Sequence, residues 1–124
     1  MIIGTGIDII EVERVAHRVG SDNGFREFVF SKQEIQYCDS KASPFQHYAA
    51  RFAAKEAFLK AIGKGWGSGL FLNEIEIFNE ENGRPYLRLS GQTESNLAPL
   101  GIRLIHLSLS HLKTMATAVV ILES

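Results

Sequence analysis

Residues Ile2 to Ile10 are rich in β-branched side chains and bounded by charge, a pattern that predicts a strand. Alternation puts Ile3, Ile7 and Ile9 on one face, and Ile2, Gly4, Gly6, Asp8 and Ile10 on the other. From Glu11 to Val19 the period changes. Val12, Val15, Ala16 and Val19 recur at helical spacing, with Glu11 and Glu13 placed for the first turn. Gly20 to Gly24 ends that element. Ser31 and Glu34 have capping-box spacing and predict a short helix through about Asp39. Ser43 then stands as a cap residue before Pro44 at a first helical position. A long helix is predicted from there to about Ile62, with Phe45, Phe52 and Leu59 on one apolar stripe and Gly63 closing it. Gly63 to Gly69 reads as a loop, mobile or shaped for a ligand.

Beyond the loop, Glu74 to Phe78 and Tyr86 to Leu89 flank Asn82-Gly83, the strongest short hairpin signal. Ser90 to Leu100 predicts a short helix closed by Pro99 and Gly101. Arg103 to Leu109 and Met115 to Leu122 predict two final strands. No repeat, linker or low-complexity tract interrupts the chain. The expected class is α+β: an antiparallel sheet packed on one long helix, plus short helices, in a single domain over 1–124.

Composition narrows the function classes. A chain of 124 residues can bury roughly two thirds of its unfolded surface in one core. Cys38 is its only cysteine, so no internal disulfide forms, and a reducing, cytoplasmic setting is expected. The formal net charge of −1 argues against a general nucleic-acid binder. No apolar run approaches the ~20 residues of a membrane span, and Met1 to Asp8 lacks the layout of a signal peptide.

Three features carry candidate chemistry. Asp8 interrupts an apolar strand on the face of Gly4 and Gly6, which are expected to leave open space beside it. A carboxylate there must be paired, hydrogen-bonded, exposed at the strand end or bound to a metal. Glu56 and Lys60 lie near the end of the long helix at i, i+4 spacing. They read either as a helix ion pair or as a carboxylate and an ammonium that hold a metal and a phosphate together. Arg51 and Lys55 on the neighbouring face add positive charge or are simply solvated. His106, Ser108 and Ser110 share one face of a strand whose other face is Ile105, Leu107 and Leu109. They form either a solvent face or a surface for phosphate and adenine groups, with His111 at the strand end.

The glycine loop lacks the P-loop order and follows a helix. The helix dipole has the wrong sign there for phosphate, so explicit cations such as Lys60, Lys64 and a metal ion are needed. The four histidines, His17, His47, His106 and His111, show no zinc-pair spacing, and no nucleophile elbow supports a hydrolase triad. Two separated carboxylates beside lysines suit magnesium, which takes the rest of its octahedron from waters and substrate phosphates.

Gly6-Ile7-Asp8-Ile9 followed by Arg14 resembles the opening motif of the bacterial holo-acyl-carrier-protein synthases. The run from Arg51 through Lys55, Glu56 and Lys60 to Gly63 is similar to their long-helix signature. Asn82-Gly83-Arg84-Pro85 and His106 to His111 resemble their hairpin and C-terminal motifs, and the order along the chain agrees. The resemblance implies a magnesium-dependent phosphopantetheinyl transferase of fatty acid biosynthesis. Coenzyme A would be its co-substrate and acyl carrier protein its partner, in a homotrimer with active sites at subunit boundaries. It implies Asp8 and Glu56 as magnesium ligands and Lys60 as a pyrophosphate-facing group. Arg51, Gly63, Lys64, Gly65, Asn82, Gly83, Arg84, Pro85, His106, Ser108 and His111 would lie around coenzyme A. Arg14, with Arg18 and Arg26, would meet the carrier protein. Lys64 and the bulky Trp66 depart from the usual loop. The proton acceptor stays open between Glu56 and a water on the metal. A non-catalytic coenzyme A or nucleotide module, and an interaction protein whose charges merely pair, are the competing classes.

Overall fold

The computed structural model describes residues 1–124. The opening strand β1 (Ile2–Glu11) runs directly into α1 (Val12–Gly20), which buries Val12, Val15 and Val19 on the expected spacing. A short helix α2 (Phe25–Val29) follows, started by left-handed Gly24. Its five residues are too few to display a period, so the pattern did not announce it. In α3 (Lys32–Asp39) both capping-box bonds form: Glu34 N donates to Ser31 Oγ at 3.2 Å, and Ser31 N donates to Glu34 Oε1 at 3.0 Å.

The central helix α4 (Pro44–Ile62) begins at the expected proline, although Ser43 makes no side-chain cap bond. It ends at Gly63, whose φ of 71° is the left-handed conformation that glycine adopts without cost. The predicted stripe is too narrow. Phe45 is exposed, whereas Tyr48 to Lys55 and Ala57 to Leu59 are buried on every side. The helix is walled in by β1, α1, α3 and the strands that follow, so even Arg51 and Lys55 lie inside rather than in solvent.

Strands β2 (Ile75–Asn79) and β3 (Pro85–Leu89) form the hairpin around Asn82-Gly83. Helix α5 (Gly91–Leu97) and a 3-10 turn closed by Gly101 lead to β4 (Leu104–His111) and β5 (Met115–Glu123). In place of one sheet there are two. β1, β5 and β4 make an antiparallel three-stranded sheet in that order, and β2 and β3 stay a separate pair. β3 lies alongside β4 without pairing to it.

One face of the larger sheet packs on α4 through Ala116, Ala118, Val120 and Leu122 of β5. Gly4 and Gly6 of β1 share that face, and the space beside them is filled. A Cβ at Gly6 would stand 1.8 Å from the Ala57 carbonyl oxygen, and one at Gly4 2.0 Å from that of Ala61. The glycines let helix backbone touch strand backbone, which sets Asp8 against the last turns of α4. The other face of the sheet is bare. Ile7 and Ile9 are 65% and 64% exposed there, in register with Val119 and Thr117. No helix is long and apolar enough to cross a membrane.

Candidate active site

Two groups of polar side chains gather on α4. The first is at its C-terminal end. Lys60 does not pair with Glu56 along the helix. Its Nζ reaches across to β1, donating to Asp8 Oδ1 at 3.2 Å and to the Ile7 carbonyl at 3.0 Å. The helix ion pair is therefore replaced by a tertiary one, because the close approach at Gly4 and Gly6 brings Asp8 within reach of Lys60. Asp8 is largely buried, while the Lys60 side chain is 57% exposed and faces outward.

Glu56 is left to the glycine loop. Trp66 Nε1 donates to Glu56 Oε1 at 2.8 Å. Burial raises the Glu56 carboxyl pKa above its ordinary value; the indole bond pulls it down, and nearby Asp8 pushes it up again. The two carboxylates are thus near enough to repel. No group of three or more His, Cys, Asp and Glu side chains is placed to hold a metal ion. A cation shared by Asp8 and Glu56 would complete its shell with water and substrate oxygens, the habit of magnesium. The donor set fits that ion.

The second group surrounds Arg51. This guanidinium is buried, stacks 4.0 Å over the Tyr37 ring and donates from Nη2 to Asn79 Oδ1 at 2.8 Å. Its buried Nε has no partner. Asn79 donates onward to the Gly83 carbonyl at 3.0 Å, and Arg84 N donates to Asn82 Oδ1 at 2.9 Å, so the Asn82–Pro85 turn is tied to the helix. His47 and His111 meet with ring centres 5.8 Å apart, and Lys41 Nζ lies 4.6 Å over Tyr37. Burial first, then His111, Arg51 and Lys41, hold the His47 pKa below its ordinary 6.5. The result is a cationic corner suited to an anion.

The remaining candidates lie elsewhere. His106 and Ser108 point to the bare face of the sheet, opposite Asp8, and His106 Nε2 bonds Glu123 Oε1 at 2.6 Å. Within one chain they do not join the carboxylates. Lys64 and Gly65 are exposed in the loop. Arg14 and Arg18 are exposed on α1, with Arg18 5.7 Å over the Phe25 ring. Arg26 is already engaged by Glu27 at 2.9 Å and by Asp39 at 3.9 Å, which weakens it as a docking cation. Cys38 is wholly buried and its thiol pKa is pushed up to about 12 by burial, so it is an inert packing group.

Sequence reasoning missed several members. Tyr37, His47 and Asn79 come together through contacts of Arg51 and His111 with residues distant in the chain, and Lys41 joins them from four residues beyond Tyr37. Lys55 was visible as a charge in an apolar helix. Its Nζ bonds Glu34 Oε1 at 2.7 Å and the carbonyls of Leu72 and Ile75 at 2.7 and 2.8 Å, all inside the core. Glu34 also accepts from Ile77 N at 3.0 Å. One capping residue thereby holds α3, α4 and β2 together.

Known proteins resemble the chain over its full length. Residues 4–114 match the family model described as the 4′-phosphopantetheinyl transferase superfamily. The holo-[acyl-carrier-protein] synthase of Syntrophus aciditrophicus is 48% identical over 99% of this chain and 97% of its own length. The crystal structure of holo-[acyl-carrier-protein] synthase from Neisseria meningitidis superposes with a TM-score of 0.90 at 29% identity, covering all of both chains. That of a holo-(acyl-carrier-protein) synthase from Bacillus anthracis, in complex with CoA (3′,5′-ADP), has a TM-score of 0.83 at 37% identity over 100% of this chain and 98% of that one.

Proposed function

The chain belongs to the 4′-phosphopantetheinyl transferase superfamily, and from that premise we infer that it is a holo-[acyl-carrier-protein] synthase. It transfers the 4′-phosphopantetheine group of coenzyme A to a serine of apo acyl carrier protein and releases 3′,5′-ADP. The serine Oγ–P bond forms, the bridging P–O bond of the pyrophosphate breaks, and one hydroxyl proton is released.

The observation that carries the site is the Asp8–Lys60–Glu56 cluster beside the glycine loop. Asp8 and Glu56 are the residues that would hold magnesium. When bound, the ion supplies charge neutralisation and alignment for the pyrophosphate. The Lys60 ammonium is fixed by the Ile7 carbonyl and by Asp8, and its remaining N–H steadies charge on the leaving phosphate. The cationic corner built by Arg51 and Lys41 around Tyr37 suits the phosphate and adenine end of coenzyme A. His47 and His111 border the same corner. Arg14 and Arg18 offer an exposed basic surface to the carrier protein.

The working unit is a homotrimer. An apolar sheet face as bare as that of Ile7, Ile9, Val119 and Leu104 marks an interaction surface. His106 and Ser108 lie on that face, so a neighbouring copy would bring them to a site that one chain leaves divided. The subunit count follows from the family resemblance. The chain acts in the cytoplasm as one transferase domain spanning 1–124.

The decisive test is to weigh apo carrier protein after incubation with the enzyme, coenzyme A and magnesium. A gain of one phosphopantetheine is expected. No gain with any cognate carrier overturns the activity, and coenzyme A binding without transfer would mark a binding module instead. Glu56→Gln should abolish the gain while the fold persists; wild-type turnover in that variant would remove Glu56 from the site.

A further inference from the structure

The glycine loop is anchored at both ends. Lys64 N donates to the Leu59 carbonyl at 3.0 Å, and Asn96 Nδ2 donates to the Gly69 carbonyl at 2.8 Å. Between these points Gly67, Ser68 and Gly69 all take positive φ, which turns the chain tightly enough to aim Trp66 back at α4. The indole then packs against two aromatic rings, 6.0 Å from Phe28 and 6.3 Å from Phe52 by ring centres, with 46% of the residue still exposed. Its Nε1–H meets Glu56 Oε1. Lys60, the natural helix partner of Glu56, is committed to Asp8 and Ile7. Trp66 is therefore what sets the direction of the Glu56 carboxylate.

We propose that Trp66 is a positioning residue for magnesium binding: its indole N–H holds Oε1 of Glu56 and leaves Oε2 free to serve the cation. The proposal rests on the reading of Glu56 as a metal ligand. A glutamate side chain has three rotatable bonds, and a free one must be ordered each time an ion arrives. A donor on a ring packed against Phe28 and Phe52 orders it beforehand. This is the role that outer partners play for ligating carboxylates, and their loss typically costs about 10–100-fold in metal affinity. The same bond joins the loop that faces coenzyme A to the carboxylate that faces the metal.

Two variants isolate the N–H. Trp66→Phe keeps an aromatic ring against Phe28 and Phe52. Replacing Trp66 by benzothienylalanine keeps the whole bicyclic shape and substitutes sulfur for N–H. Manganous ion is titrated into each protein saturated with coenzyme A, without carrier protein so that no transfer occurs. Free ion is read by electron paramagnetic resonance. Both variants should bind manganese about 10–100-fold more weakly, with thermal midpoints near that of the parent. In transfer assays the magnesium concentration for half-maximal rate should rise while kcat at saturating magnesium recovers. Unchanged manganese affinity in the benzothienylalanine protein overturns the proposal, whatever Trp66→Phe does to folding. Glu56→Gln separates the two levels. If it binds manganese like the parent, the metal assignment itself fails; if it loses the ion while both Trp66 variants keep it, only the positioning role fails.

Discussion

Lys55 carries its ammonium into the middle of the molecule, where Glu34 Oε1 and two backbone carbonyls surround it. Burial pulls its pKa below the ordinary lysine value although Glu34 pulls the other way. Removing one partner strands the other charge, so Lys55→Met should cost about 3–5 kcal/mol in urea unfolding. Lys55→Met combined with Glu34→Gln should recover only part of that loss, since the buried charge is gone but the single amide oxygen can accept from Ile77 N or from Ser31 N, not from both. His47 permits a test by pH. Its folded pKa is lowered below 6.5, so the unfolded chain takes up the proton first. Stability from this group is present above about 6.5 and declines as pH falls from there through the lowered folded value. His47→Phe should flatten the decline, and unfolding midpoints measured from pH 7.5 to 5 check it. Lys55 was visible as a charge in an apolar helix, but neither its burial nor that of His47 was. A charged helix position looks the same whether the fold later covers it or not.

The contact between β1 and α4 decides the shape of the site. At Gly6 an added Cβ would meet a carbonyl oxygen of a rigid helix, which cannot swing aside as a side chain can. Gly6→Ala should destabilise by more than about 3 kcal/mol, beyond ordinary overpacking, and should displace Asp8 from Lys60. Gly20→Ala is the matched control. It closes α1 in open space and should stabilise by about 0.4–1 kcal/mol. Thermal unfolding of both variants measures the contrast. At this scale the sequence was readable wherever a local rule governs. The capping box at Ser31, the proline start of α4, the Gly63 stop and the Asn82-Gly83 hairpin all stand as expected. The rule failed for α4 as a whole, because a helix covered on all sides has no solvent face to mark its stripe. It also failed at Gly4 and Gly6, where a missing side chain signals contact as readily as space.

For the whole molecule, the bare face of the three-stranded sheet makes a prediction about assembly. Ile7→Glu places a charge on that face without touching α4, so the fold should survive. Sedimentation should then show the proposed trimer falling to monomer, and carrier modification should fall with it. A trimer that persists with full activity would remove this face from the interface. The chain alone determined the α+β class, most of the elements and a set of candidate residues, because capping, periodicity and turn chemistry act over a few neighbouring positions. It determined Asp8, Glu56 and Lys60 as candidates, but not which of them would pair. Only the tertiary structure turned Lys60 from Glu56 to Asp8, gave Glu56 to Trp66, buried Lys55 with Glu34 and parted His106 from the carboxylates. Those outcomes depend on which backbones can approach one another, and that distance is set by packing between segments far apart in the chain.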